Sequence, residues 1–530
     1  MQGRPSRDPN RRTPATRSTR PYTLLMPSPS DSEGTPLGDR SAIDTEAVLS
    51  VGEVRRKAAS GVLFVGLRSF AVRGLNLLSS LVLARLLLPQ DFGVLALGQG
   101  LIYFGAILSD AGIAASLVRR ERAPSRIELR TVFGFQLLTA ILVVAAVAVL
   151  AVPTGRTGQV AAVMAVSVVL SALRTPASLV LERRLDYRTI AFVEIIEGVV
   201  FVIWSLTTVA LGAGVWGVAT AHLARSLAGS ALMIQRSPIR ILAPRIRLSV
   251  LHEILSYGLI VQASALMSLA RAQGINLTTA AIAGLPVLGL YSLADRIMQI
   301  PWQIFETILR VTFPAMARLV TAGVDARNDI ERGLRLLTVL AGPALCLVAA
   351  TAPLAVPTLF GPQWTGAAGA VPLIALGLLF GGPVLAVGSG YLYAVGDARQ
   401  CLLATVAHTA AWFAVAVPLL PAHGATAVGA GLAAGFITES WVLSRALRRR
   451  TGLHALRIVA PASLSLAVSG AVGFVAALHL QPGFINLVQV GLLTSVLICI
   501  GLLITARATL RDARNFLRTL MARRRGIDAT

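Results

Sequence analysis

The stretch "LARLLLPQDFGVLALG", residues 83–98, ends one long apolar run at a Leu–Pro elbow and opens another. The design returns at residues 280–295 as "AAIAGLPVLGLYSLAD". With a two-residue gap, the copies share an alanine, the elbow and a Gly-apolar-x-x-Leu register, Gly93–Leu97 against Gly289–Leu293. Proline lacks a backbone N–H and clashes with the preceding turn, so each elbow separates two helices. Six apolar segments separate the copies. An even number of crossings predicts two halves of the same topology, related by an axis along the membrane normal.

Working outward, apolar runs fill almost the whole chain. It is 55% hydrophobic and only 14% charged, with a mean hydropathy of +0.72. Soluble proteins carry about 25% charged residues. Runs of roughly 18–25 apolar residues each suffice to cross a hydrocarbon core of about 30 Å. The reading is an all-α polytopic membrane protein of about fourteen transmembrane helices. In the first half they lie near 62–84, 93–117, 131–152, 159–181, 191–212 and 215–234. In the second half they lie near 254–275, 288–312, 335–360, 367–395, 401–420, 424–444, 458–478 and 486–506. Residues 272–290 could be loop, re-entrant turn or helix end.

The net charge of +23 belongs to the connections and not to a nucleic-acid surface. With the N-terminus in the cytoplasm, 39 of the 48 lysines and arginines fall in the cytoplasmic connections, the outward connections hold only Arg85 and Arg156, and the other seven lie inside the apolar segments. That bias puts both termini in the cytoplasm. The expected organisation is a disordered basic tail (1–60), an N-lobe of six helices (61–235), a C-lobe of six (236–445), two extra C-terminal helices (446–506) and a basic tail (507–530). The first apolar segment would act as an uncleaved anchor in the inner (cytoplasmic) membrane.

No catalytic or cofactor motif stands in a plausible context, and the short outward connections carry almost no titratable groups. An enzyme is therefore not expected, nor a cofactor. Cys346, Cys401 and Cys499 fall inside apolar segments, with no metal-ligand spacing around them.

"LARLLLPQDFGVLALGQGLI" followed by "LSDAGIAASLVRRE", with "ILSYGL", "GLPVLGLYSLADRIMQIP" and "ILRVTFPAMARL" in the second half, resembles the Wzx-type polysaccharide-biosynthesis flippases of the MOP (MATE-like) superfamily. The likeness covers roughly residues 60–450. It implies two lobes in a V, moving a polyprenyl-pyrophosphate-linked oligosaccharide from the inner to the outer leaflet. Such a protein meets anionic lipid-linked glycan and membrane lipids, and a polysaccharide polymerase or assembly machinery would be a further partner.

Polar residues inside the apolar segments mark where a cavity would lie, since residues three, four and seven apart share a helix face. The first segment carries Arg68 and Arg73, with Asn76 one turn from Arg73. Arg68 can snorkel to the headgroups; Arg73 lies near the midplane, where an unsolvated guanidinium is costly. The second segment aligns Gln99, Tyr103 and Asp110. The eighth is the most polar: Tyr291, Asp295, Gln299, Trp302 and Glu306 form a stripe, flanked by Arg296, Gln303 and Arg310. Arg225 and Arg271 complete the set from the sixth and seventh. A cavity lined by Arg73, Arg225, Arg271, Arg296 and Arg310 suits an anion, because guanidinium makes bidentate, charge-assisted bonds to phosphate. Asn76, Tyr103, Tyr291, Gln299 and Gln303 suit sugar hydroxyls. Asp110, Asp295 and Glu306 are the ion-coupling candidates. Asp110 ranks first among them, because its segment carries no arginine. His222 and His408 read as core residues, and Trp302 and Trp412 as packing. A MATE-type cation antiporter would favour midplane carboxylates and aromatics instead; it stays an alternative, as does a flippase for a peptidoglycan precursor.

Overall fold

In the computed structural model the described residues are 74–76, 78–110, 124–239 and 242–507, with backbone alone for 253–265, 310, 311 and 313–315. Both tails, Arg68 and Arg73 lie outside them, as does the side chain of Arg310. Every regular element among the described residues is helical. The helices are α1 (Gly74–Leu86), α2 (Pro89–Asp110), α3 (Arg126–Ala151), α4 (Arg156–Ala172), α5 (Thr175–Arg183), α6 (Tyr187–Thr208) and α7 (Val215–Arg236). The second half holds α8 (Leu248–Thr321), α9 (Arg327–Ala355), α10 (Ala370–Ala394), α11 (Ala398–His423), α12 (Ala425–Thr451), α13 (Ala455–Leu478) and α14 (Phe484–Thr505).

Among the described residues ten helices are long and apolar enough to span a membrane, or eleven if the bent pair α4–α5 makes one crossing. Their large apolar side chains face outward, among them Leu150, Leu211 and Ile485. This is a multi-pass membrane protein. Polar α7 is not one of the ten, but it packs on α4 and α6.

The expected segments change in three places. The span 159–181 is not one straight helix: it bends by 50° after Ala172, where Pro176 and Arg174 interrupt the apolar face. Residues 272–283 are helical, and the interruption narrows to Gly284 (φ 84°, ψ 170°). At 1.5 Å per residue an unbroken α8 would be roughly 110 Å long, several times a bilayer core. Arg271 and Tyr291 interact electrostatically, which about 30 Å of straight helix between them would forbid. The chain therefore folds back at Gly284 into two crossings. Finally, α10 is preceded by a tight 3₁₀ segment, Pro362–Gly369.

The two halves repeat one packing scheme. α2 packs on α4 as α8 does on α10; α3 on α4 as α9 on α10; α4 on α7 as α10 on α12; and α6 on α7 as α11 on α12. The turns repeat as well. Leu185 and Asp186 donate to Glu182 O and Leu181 O; Gly396 and Asp397 donate in the same pattern to Tyr393 O and Leu392 O. α7 opens after Gly214 (φ 54°, ψ −134°) and α12 after Gly424 (φ 51°, ψ −125°).

The two elbows meet each other. A β-carbon on Gly93 would lie 2.1 Å from Leu285 O, and one on Gly289 would lie 1.7 Å from Pro89 O. Each glycine touches the residue four positions before the other, the reciprocal contact that a two-fold axis between the halves produces. Only glycine lets backbones approach this closely. The C-terminal pair α13–α14 packs on α9 and shares a continuous apolar core with the second half, including Leu466, Ile498 and Leu502.

Candidate functional site

α1, α2, α7 and both arms of α8 carry the polar residues expected to line a cavity, and the fold brings most of the described ones together. Arg296 donates to Ser80 Oγ at 3.1 Å, and its guanidinium carbon lies 5.0 Å from the Phe92 ring centre. One arginine thus engages α1 and α2 from the far half of the chain, with its charge over an aromatic face. Tyr103 lies within electrostatic range of both Arg296 and Arg225, and His222 of the same two arginines. Tyr291 neighbours Asp295 and Arg271. Arg225, Arg271 and Arg296 therefore belong to one belt, with Tyr103, Tyr291 and Asp295 between them.

Within the polar stripe of α8, neighbouring turns bond each other. Gln299 Nε2 donates to Asp295 Oδ2 at 3.3 Å and Trp302 Nε1 to Glu306 Oε1 at 3.1 Å. Gln303 Oε1 is buried with no hydrogen-bond partner. Asn76 and Tyr103 are exposed. Asp110 sits close enough to Glu182 to interact with it; the isolation it has on its own helix does not extend to the fold.

Beside the belt, Glu197 is buried and accepts from Arg174, with Arg225 Nε 3.8 Å from its other oxygen. Arg225 is thus oriented from behind by a carboxylate. Sequence reading missed two further polar groups, Gln273 and Asn276, which bond each other at 3.2 Å. A β-carbon on Gly100 of α2 would lie 2.1 Å from Gln273 Oε1. They fall in the stretch whose helicity was left open, so no helix face could be assigned to them.

The two halves are bonded to each other at one end of the belt. Trp364, fully buried, donates to Ala84 O at 2.7 Å, and Gln363 Nε2 donates to the same carbonyl at 3.0 Å. Arg85 Nε donates to Leu359 O at 2.9 Å and its Nη2 to Thr358 O. The Phe92 and Trp364 rings meet edge-on at 4.6 Å. Together with the elbow contact, these bonds seal one half of the chain to the other on the side away from the basic connections.

Comparison with known proteins agrees with this architecture. Residues 82–369 match the polysaccharide biosynthesis protein family. The chain is 24% identical over 323 residues to the lipopolysaccharide biosynthesis protein WzxC of Escherichia coli (strain K12), covering 59% of this chain and 65% of that one. It is 23% identical over 313 residues to the succinoglycan biosynthesis transport protein ExoT of Rhizobium meliloti (strain 1021), covering 57% and 62%. The chain thus spans somewhat under two thirds of these relatives' length. In three dimensions it resembles lipid II flippase MurJ in an inward closed conformation, with a TM-score of 0.64, 12% identity, and 83% of this chain and 98% of that one covered. It also resembles an inward-facing multidrug resistance MATE family transporter of the MOP superfamily, with a TM-score of 0.55, 17% identity, and 73% and 95% covered. The fold is therefore the MATE-like fold of that superfamily, and the chain belongs to the polysaccharide biosynthesis protein family.

Proposed function

We propose that this protein is a flippase that moves a polyprenyl-pyrophosphate-linked oligosaccharide from the inner to the outer leaflet of the cytoplasmic membrane, and that it does no covalent chemistry. The observation that carries the reading is the belt of Arg225, Arg271 and Arg296 between two repeat-related halves. A diphosphate leaving water loses its hydration, and fixed guanidinium groups replace it with charge-assisted hydrogen bonds. The expected Arg73 and Arg310 would extend the belt. Tyr103, Gln299, Gln303 and Asn76 supply donors and acceptors for sugar hydroxyls, while the isoprenoid tail stays in lipid.

The basic connections put both termini in the cytoplasm. The sealed side, at Trp364 and Arg85, then faces outward, so the cavity takes its cargo from the cytoplasmic leaflet. Cation exchange is the weaker reading, because the arginines of the belt, Arg225, Arg271 and Arg296, outnumber its one carboxylate, Asp295. A polymerase receiving the flipped glycan is the expected partner on the outer side.

The test is deletion of the gene with mass spectrometry of the lipid-linked intermediates. Accumulation of a polyprenyl-diphosphate oligosaccharide on the cytoplasmic side, relieved by the native gene and not by the Arg296→Ala variant, is expected. Unchanged intermediates, with new sensitivity to cationic dyes, would replace this reading with the antiporter one.

A further inference from the structure

The repeat puts two buried polar pairs in matching places. Counting from the equivalent turns at Asp186 and Asp397, Glu197 on α6 matches His408 on α11. Counting from Gly214 and Gly424, Gly229 on α7 matches Glu439 on α12, and Arg225 matches Gly435. In the first half, Glu197 packs against Gly229 and is held by Arg174 and Arg225. In the second half, His408 Nδ1 lies 2.8 Å from Glu439 Oε2. The two side chains are 0% and 7% exposed.

These matching sites differ in what they hold. A carboxylate between two guanidiniums keeps its charges at any physiological pH, since arginine does not deprotonate. A carboxylate bonded to an imidazole is bonded to a group that itself titrates. With neutral His408 and ionised Glu439 the pair carries one negative charge; one added proton makes it neutral. Glu439 lies about 21 Å along α12 from Ala425 and about 9 Å from Arg445, so that charge sits inside the apolar span, toward its basic end, where an unneutralised charge is still costly.

We infer that the His408–Glu439 pair is a proton-binding site that couples proton movement to the state of the cavity. The charged and titratable groups facing the pair are Arg271 from α8, Tyr393 from α10 and Cys401 from α11, the last two also hydrogen-bonded to each other. α13 brings only Arg457, in its first turn at the cytoplasmic end. None of these bonds Glu439 as a fixed cation among the described contacts. Gly431 and Gly435 let α12 press onto Trp412 and His408, whose Nε1 and Nε2 are buried without hydrogen-bond partners. An aromatic chain leads out from the pair. The Phe436 ring meets His408 edge-on at 4.8 Å and lies 6.0 Å from Trp302, which bonds Glu306 in the polar stripe of α8. A change in the His408 bond is thereby transmitted to α8. Coupling rests on the transport reading above; proton binding does not.

Two measurements on the full-length protein separate the claims. The first is pH-difference infrared spectroscopy of the purified protein in lipid. A carboxyl or imidazole band present in native protein should vanish in both Glu439→Gln and His408→Gln, each first shown to melt as a folded protein. Native and variant spectra that coincide overturn the proton site. The second is flipping in proteoliposomes with an imposed pH gradient. For one proton exchanged per cycle, one pH unit is worth up to about tenfold in cargo distribution; native protein should respond, and both variants should lose the response. Native flipping that ignores the gradient overturns the coupling and leaves the flippase reading intact. Native protein that carries the infrared band but moves no lipid supports the proton site and overturns the flippase reading.

Discussion

The seal at Trp364 and Arg85 should set how often the two halves part on that side, and its contribution can be worked from its bonds. Trp364→Phe removes the indole N–H but keeps a ring against Phe92. Ala84 O retains its bond from Gln363, so no carbonyl is left unpaired. The expected loss is about 1 kcal/mol, an ordinary net hydrogen bond, or roughly fivefold in the closed-to-open ratio. Arg85→Gln removes two bonds from a charged donor. Because Arg85 is exposed, about 1.5 kcal/mol is a fair figure. Together the substitutions should shift the ratio by up to roughly seventyfold if the contacts act independently.

Spin labels at Thr154 and His423, in turns that lie beside the two elbows, would report the change as a longer-distance population in pulsed electron resonance. Cys499, the exposed native cysteine among the described residues, would be replaced by serine first. Each single variant should give a small long-distance population and the double variant a dominant one. Unchanged distance distributions in the double variant would refute the reasoning, because the bonds would then exist equally in both states.

Three further outcomes are expected. Arg296→Ala should abolish export while the protein still inserts, and Arg296→Lys should restore it only in part, since lysine keeps the charge but not the fork geometry; complementation of the deletion strain checks this. Leu185 is the one non-glycine residue at positive φ (56°) among the described residues, where the matching turn has Gly396; Leu185→Gly should stabilise by about 1 kcal/mol and raise the melting temperature, and an unchanged or lower one would argue against strain there. His454, between α12 and α13, is held below the usual histidine pKa by partial burial and by Arg448 and Arg457. The native fold therefore binds that proton less readily than the unfolded chain. Its contribution to stability is full above the ordinary histidine range and is lost as the pH falls below it. Nuclear magnetic resonance of labelled histidine should find His454 titrating low, and moving up in Arg448→Ala.

Much of this architecture is legible in the residues alone, for definite reasons. The elbows announce themselves because Pro89, Gly93, Pro286 and Gly289 do work only those residues can do: they end helices and let backbones touch. The stripe of α8 is readable because a 3.6-residue period places Tyr291, Asp295, Gln299, Trp302 and Glu306 along one side whatever lies opposite. The helix through residues 272–283 was hidden because "QGINLTT" has no apolar period; within it Asn276 donates to Gln273 and Thr279 to Ile275 O, bonds that only the folded helix makes. The meeting of Arg174, Glu197 and Arg225 depends on three helices and a 50° bend, none of which local pattern records. His408 reads as a core residue, and it is buried. Its bond to Glu439 is a tertiary fact between helices that only a close glycine-lined approach permits.

The two halves also separate what the backbone requires from what the side chains have become. Where a turn or close approach dictates geometry, both copies keep it: Gly93 with Gly289, Gly214 with Gly424, and the turn at Leu185 with that at Gly396, even though leucine tolerates that conformation poorly. Where the backbone dictates only burial, the copies differ. The same depth holds Glu197 between two permanent cations in one half and a histidine–glutamate pair in the other. Burial makes any charge at that depth costly unless it is neutralised, so each half must solve the same electrostatic problem. The first half neutralises its carboxylate with arginines, one of which also joins the cavity belt, and that arrangement has a single charge state. The second half neutralises its carboxylate only when a proton arrives, and that arrangement has two. In this fold, then, the matching sites differ in kind: the first half's buried carboxylate is held by fixed cations, and the second half's is bonded to a group that itself titrates. The wall formed by α8, touching Phe436 on one side and Ser80 and Phe92 on the other, is where the two meet.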